Sequence, residues 1–214
     1  MPQDLPSDFA EAPSAPARKR PRPGERRQQI LQTLATMLEQ PGAERVTTAA
    51  LAARIGVSEA ALYRHFASKA QMFEALIEFV EQSCMGLIRQ VTDREPVGAG
   101  QAGRIVALLL QFAEKNPGMC RVMTGDALIL EHERLQQRVN LLMDKIEAQL
   151  RQSLREAQAE SATPSVDTQV AASVLLAFML GRLQRFVRSG FVRLPTDHLQ
   201  ASLARLLSTQ KETP

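Results

Sequence analysis

Thr47–Lys69 reads TTAALAARIGVSEAALYRHFASK, and its reading decides the fold. Thr47 and Thr48 offer hydroxyls at a helix start, where the first amide N–H groups have no intrahelical partner. Ala49 to Arg54 favour helix, with side chains small enough to admit a close neighbour. Ile55-Gly56-Val57 stops that helix, because glycine enters the left-handed region at little cost. Ser58 then caps a second helix, Glu59 to Phe66. Leu51, Ile55, Val57, Leu62 and Phe66 supply a small core between the two. The pattern is a helix-turn-helix.

Once the core is assigned, the second helix keeps Ser58, Glu59, Ala61, Tyr63, Arg64 and His65 available. This short polar and aromatic set suits a major groove. Most protein–DNA hydrogen bonds go to phosphate and sugar, so Thr47, Thr48, Tyr63, His65 and Lys69 read as positioning contacts. The bland alternative is an αα-hairpin that serves only as structure. Charge separates the two readings. Between Ala12 and Lys69 ten basic residues stand against Glu25, Glu39, Glu44 and Glu59, whereas the whole chain carries only +3. A basic end of this kind gains from counterion release on DNA of any sequence.

Outward from that core, Met1 to Gly24 holds six prolines and few large apolar residues. A tail of that composition, residues 1–23, is expected to be disordered; its run ARKRPRPGERR reads either as a DNA-tracking arm or as a solvated extension. A first helix is expected from Glu25 to Glu39, with Ile30, Leu31, Leu34, Met37 and Leu38 at three- and four-residue steps and a stop at Gln40-Pro41-Gly42. Three helices make a compact reader.

Ser68 and Gln71 form a capping-box pattern that opens a fourth helix of about 25 residues. Its apolar side is Met72, Phe73, Leu76, Ile77, Val80, Leu87, Ile88 and Val91, with Phe79 beside the stripe. Asp93 to Gly103 reads as a loop. Arg104 to Lys115 is expected to be a central helix, apolar nearly all round, halted by Asn116-Pro117-Gly118. A short sixth helix to about Leu130 precedes a long one, Glu131 to Glu160. The long helix carries Leu135, Val139, Leu142, Ile146, Leu150 and Leu154 at coiled-coil-like spacing over 131–158, for which packing within the domain is the commoner explanation. After a polar break at 161–166 come two apolar helices, Asp167–Ser189 and Thr196–Thr209. They expose more apolar surface than one small domain needs, and pairing with a second copy would cover it while setting two readers on a two-fold DNA site.

The expected fold is therefore all-α, about nine helices, with an N-terminal three-helix helix-turn-helix module on a larger helical dimerisation domain. The expected division is a reader at 24–84, its helix-turn-helix at 47–66, and a larger domain at 85–214. With 44% hydrophobic content, 23% charge and no Trp, composition fits an ordinary soluble chain. No signal peptide and no run near the roughly 20 apolar residues of a membrane span is read in it. Cys84 and Cys120 lack metal-ligand spacing and read as buried or half-buried thiols of a reducing cytoplasm. His65, His132 and His198 sit in no catalytic or metal motif, and no phosphate loop or nucleophile elbow is present. The reading is a non-enzyme without catalytic residues, metal or cofactor.

LYRHF at Leu62–Phe66, followed by Ser68-Lys69 and a larger helical domain, resembles the TetR family. The resemblance implies a homodimer built on the last two helices and, in most members, a ligand-responsive transcriptional repressor. A narrower resemblance reaches beyond the reader, to the nucleoid occlusion factors of that family. It lies in RVTTAALAARIGVSEAALYRHFASK, MFEALIEFVE, AEKNPGMCRVMTGDAL, ERLQQRVNLLMDKIEAQLRQSLRE and LQRFVRSGF. It implies a cytoplasmic, nucleoid-associated protein that binds palindromic chromosomal sites. When bound, such a protein antagonises polymerisation of the tubulin-like division protein FtsZ and blocks septation over the nucleoid. The matching DNA positions are Thr47, Thr48, Ser58, Ala60, Tyr63, Arg64, His65 and Lys69. For a groove that takes the FtsZ C-terminal tail they are Phe79, Leu108, Gln111, Lys115 and Asn116. An apolar floor with one basic residue suits a short peptide of mixed apolar and acidic character.

Overall fold

The computed structural model describes residues 24–40, 46–96, 99–160 and 167–208. Among these residues lie nine α-helices and one turn of 3-10 helix, with no strand. The expected tail at 1–23, the Pro41-Gly42 stop and the polar break at 161–166 fall outside the described residues.

Helix α1 (Glu25–Leu38) buries Ile30, Leu34, Ala35 and Leu38. Helix α2 (Thr48–Ile55) starts where the Thr47 hydroxyl accepts from the Ala50 amide, and ends at Gly56, φ 77°. The amides of Gly56 and Val57 both donate to the Ala52 carbonyl, closing the left-handed terminus that only glycine enters cheaply. Helix α3 (Glu59–Tyr63) is capped by Ser58 and is shorter than the expected Glu59–Phe66, because Arg64 and His65 turn instead. That turn drives Phe66 inward, where it, Leu51 and Leu62 are buried while Ile55 and Val57 are half-buried.

Helix α4 (Lys69–Arg94) is the strut. Ser68 accepts from the Gln71 amide as the capping box requires, but the Gln71 side chain takes the Ala67 amide, one residue before the expected one. Helix α5 (Ala99–Lys115) begins five residues before the expected Arg104, so most of the glycine-rich loop is helical. A β-carbon on Gly103 would stand 2.9 Å from Cδ1 of Leu207 on α9 (Leu199–Ser208), so that leucine packs on α5 over the bare glycine. A local sequence reading takes such a glycine for a breaker; here it is a packing site.

Helix α6 (Pro117–Met123) begins with proline in its first turn, and the 3-10 turn Asp126–Leu128 follows Gly125, φ 75°. Helix α7 (Glu133–Glu160) buries Leu135, Val139, Leu142, Ile146, Leu150 and Leu154. It packs on α4, α5 and α8 (Thr168–Arg188), so its coiled-coil-like stripe is consumed within the protomer. The inward face of α5, with Ile105, Val106, Leu109, Leu110 and Ala113 all buried, fills the centre.

Helix α8 is capped by Asp167, which accepts from the Gln169 and Val170 amides. By length and mean hydropathy (1.5) it alone among the described helices matches a membrane span, although only 33% of that window is buried in the protomer. Its buried face carries Leu175, Met179, Leu183 and Phe186; its exposed face carries Val170, Val174, Ala177 and Gly181. From Val170 to Gly181 that exposed face is apolar apart from Ser173, which leaves a surface to cover.

Candidate nucleic-acid interface and the adjoining groove

Two helix starts meet at the reader. The Thr48 hydroxyl donates to Glu59 Oε2 at 2.6 Å, tying the beginning of α2 to the beginning of α3. Thr47 and Ser58 are both exposed caps, whose oxygens accept from Ala50 and Ala61 amides at 3.1 and 3.3 Å. Each cap satisfies a terminal N–H and keeps its own O–H for an outside acceptor. Ala60, Tyr63, Arg64 and His65 are exposed on α3 and the turn after it. Tyr63 leaves 46% of its surface in solvent, far more than a core aromatic would.

The turn itself is held from α1. The Arg27 guanidinium donates to the His65 carbonyl at 3.0 Å and lies 4.1 Å from the Phe66 ring centroid. That cation–π contact and hydrogen bond fix where α3 ends and α4 begins. Lys69, the last of the expected DNA-facing residues, is placed differently from the others. Its ammonium pairs with Glu131 before α7 and sits over the Phe73 ring, with side-chain exposures of 18% for Lys69 and 7% for Glu131.

Behind the reader lies a groove of about 520 Å³, walled by Arg27, Leu31 and Ala35 of α1, by Leu76 and Phe79 of α4, and by Asn116 and Met119 around the start of α6. Phe79 is 47% exposed there. Of the residues expected to hold a partner, Phe79 and Asn116 line this groove, whereas Leu108, Gln111 and Lys115 do not. Those three lie at i, i+3 and i+7 on α5, a row on one helix face that leads to Asn116. Leu108 and Gln111 are half-buried and Lys115 is exposed. Asn116 does not cap α6; its side-chain amide donates back to the Phe112 carbonyl at 2.7 Å.

Sequence reasoning missed the α1 wall. Arg27, Leu31 and Ala35 carry no local sign of facing a groove, since only the stance of α1 against α4 and α6 puts them there. Helix α6 meets α1 closely: a β-carbon on Gly118 would overlap the Ala35 carbonyl oxygen, and Arg121 Nη1 donates to the Leu38 carbonyl at 3.3 Å. Arg121 is held in turn by Asp126 at 2.5 Å.

Among the described residues no cluster of His, Cys, Asp and Glu could hold a metal ion. Both cysteines are free and buried, and burial pushes each thiol from an ordinary 9.0 up to about 12, with smaller contributions from the carboxylates of Glu81 beside Cys84 and Asp126 beside Cys120.

Residues 30–76 match the model of bacterial regulatory proteins of the tetR family, and residues 100–211 match the SlmA-like model of a tetracyclin repressor-like C-terminal domain. The nucleoid occlusion factor SlmA of Idiomarina loihiensis is 52% identical over 177 residues, 82% of this chain and 90% of that protein. The SlmA of Vibrio cholerae is 51% identical over 187 residues, 86% and 95% of the two chains. Among solved structures, the fatty acid degradation regulator FadR of Bacillus halodurans superposes with a TM-score of 0.73 at 16% identity, covering 86% of this chain and 95% of that one. The TetR family regulator PfmR of Thermus thermophilus gives 0.69 at 20% identity, covering 84% and 97%. At such identities the structures share the fold alone. The matched models and the relatives at half identity carry the assignment: this chain belongs to the SlmA family of nucleoid occlusion factors, DNA-binding regulators of TetR type and not enzymes.

Proposed function

We propose that this protein binds palindromic chromosomal sites as a homodimer and, while bound, takes the C-terminal tail of FtsZ and antagonises FtsZ polymerisation over the nucleoid. Residues 24–84 act as the reader, with Thr47, Thr48, Ser58, Ala60, Tyr63, Arg64, His65 and Lys69 on the DNA side. Residues 85–214 carry the dimer face, for which the uncovered Val170, Val174, Ala177 and Gly181 stripe of α8 and the adjacent α9 are suited. The protein works in the cytoplasm, on the nucleoid.

The observation that carries this reading is Phe79, a large aromatic left half in solvent within a groove that the reader's own first helix walls. Phe79 and Asn116, with Leu108, Gln111 and Lys115 along α5, offer apolar contact ending at an exposed cation. That matches a short peptide of apolar and acidic residues. The solid packing of α5's inward face argues against the alternative, a ligand-relieved repressor, since such a repressor needs room there.

Titrating a labelled FtsZ tail peptide into the protein bound to its DNA site tests this. Phe79→Asp and Lys115→Asp are each expected to weaken peptide binding at least about tenfold, the loss of one central anchor, with DNA affinity unchanged. Equal peptide affinity in both variants contradicts the groove assignment.

A further inference from the structure

We propose that the acidic and apolar segment Asp4–Glu11 of this chain's own N-terminal tail docks in the Phe79 groove and competes there with an outside peptide. The proposal rests on the reading of that groove as a peptide site.

The tail sorts its residues into three blocks. Met1, Leu5 and Phe9 are the only large apolar residues before Gly24, and they stand among Asp4, Asp8 and Glu11. Residues 12–17 are alanine, proline and serine alone, and residues 18–22 carry Arg18, Lys19, Arg20 and Arg22. The basic block has a use on DNA phosphates. A leucine and a phenylalanine among carboxylates have none there, and solvation does not call for them. Apolar side chains set in an acidic stretch are what a peptide needs to enter an apolar groove with a cation at its rim.

The groove opens where the tail joins the fold. Gly24, Arg27, Leu31, Ala35 and Glu39 line it at steps of three or four residues, so one whole face of α1 runs along it. That face is about 22 Å long, and the eight residues 4–11, when extended, span about 26–29 Å. Arg27 and Glu39 are the charged residues of the lining. Lys115, exposed beside Asn116, adds a second cation, and it pairs with no carboxylate among the described residues. Two cations against one carboxylate suit a segment that brings three carboxylates, while Phe79 offers its exposed ring to Leu5 or Phe9.

The tether is long enough. Residues 12–23 join the segment to Gly24, and twelve residues reach up to roughly 40 Å, well beyond the length of the groove. Such a tether holds the segment at an effective concentration on the order of 1 mM. A segment with a Kd of about 0.1–0.3 mM for the groove then weakens an outside peptide roughly four- to tenfold.

The test uses the full chain and its variant Leu5→Ser/Phe9→Ser, in which both substitutions precede α1 and the basic block is kept. The probe is a labelled synthetic peptide of residues 1–12, titrated into each protein and followed by fluorescence anisotropy. The double variant is expected to bind it roughly four- to tenfold more tightly than the wild-type chain, by the same factor at every protein concentration. Adding Phe79→Asp to the double variant should abolish the binding. Equal affinity of wild type and double variant overturns the proposal. A gain that survives Phe79→Asp overturns it by placing the segment elsewhere, and a gain that grows with protein concentration overturns it by placing the segment on another molecule. The labelled FtsZ tail peptide is run in parallel. If it needs Phe79 but binds wild type and double variant alike, the groove reading stands and the tail proposal falls. If it binds neither, while the peptide of residues 1–12 binds through Phe79, the tail contact stands and FtsZ is removed as the partner of the groove.

Discussion

The carbonyl oxygen of Ala35 in α1 lies against Gly118 in α6, at the place where any β-carbon would have to stand. Reader and larger domain thus meet backbone to side-chain-free backbone, and Ala35 also walls the groove that holds Phe79. Any rotation of the reader on DNA changes that wall. Gly118→Ala must push α1 and α6 apart, at a cost of about 1–3 kcal/mol for overpacking. Thermal unfolding is expected to come several degrees lower, with tail-peptide affinity altered alongside. Gly86, with open space where its β-carbon would be, is the control: Gly86→Ala should leave the protein unchanged or slightly more stable. Equal stability of the two variants would contradict the close contact.

Lys69 carries both a proposed DNA contact and an observed ion pair. Its ammonium, at the start of α4, pairs with a carboxylate 62 residues away in the chain. A phosphate would compete with Glu131 for it. Glu131→Gln keeps a hydrogen-bond acceptor but removes the charge, so it should raise DNA affinity a few-fold at low salt while lowering stability by about 1–3 kcal/mol. Lys69→Met should lower DNA affinity. Weaker DNA binding in Glu131→Gln would mean that the pair positions the reader instead of holding its lysine back.

The reader was legible because its signals are local. Thr47, Ser58 and Ser68 each cap the helix that follows, and Gly56 adopts the left-handed conformation its place between two helices implies. What was misjudged depends on contacts distant in sequence. Gly100 and Gly103 look like breakers, yet both lie inside α5, and Leu207 packs where a side chain on Gly103 would stand. The same holds at the groove. Phe79 stood out as an aromatic off the apolar stripe of α4, but nothing in residues 25–38 marks Leu31 or Ala35 as its opposite wall.

The two thiols give a pH dependence whose sign is fixed by burial. Each folded-state pKa is raised to about 12, so between 9.0 and that value the native protein holds protons that the unfolded chain has released. Stability is then lost as pH rises above 9.0, by about 1 kcal/mol per thiol near pH 10. Cys84→Ser and Cys120→Ser should flatten this decline, at the expense of stability near neutrality. Native protein at about pH 8 should resist a small alkylating reagent that modifies both cysteines once it is unfolded. Rapid alkylation of the native form would show that Cys84 or Cys120 is reachable.

Sedimentation of FtsZ polymer with this protein, with and without a DNA fragment it binds, tests the central claim most directly. The expected result is loss of pelleted polymer only when DNA is present. Thr47→Ala should abolish the loss by weakening the reader, where its missing cap costs about 1 kcal/mol on top of any phosphate contact. Lys115→Asp should abolish it with DNA binding intact. Undiminished polymer under saturating DNA, from a wild-type chain that binds that DNA normally, would contradict the account and leave a DNA-binding regulator without a division target.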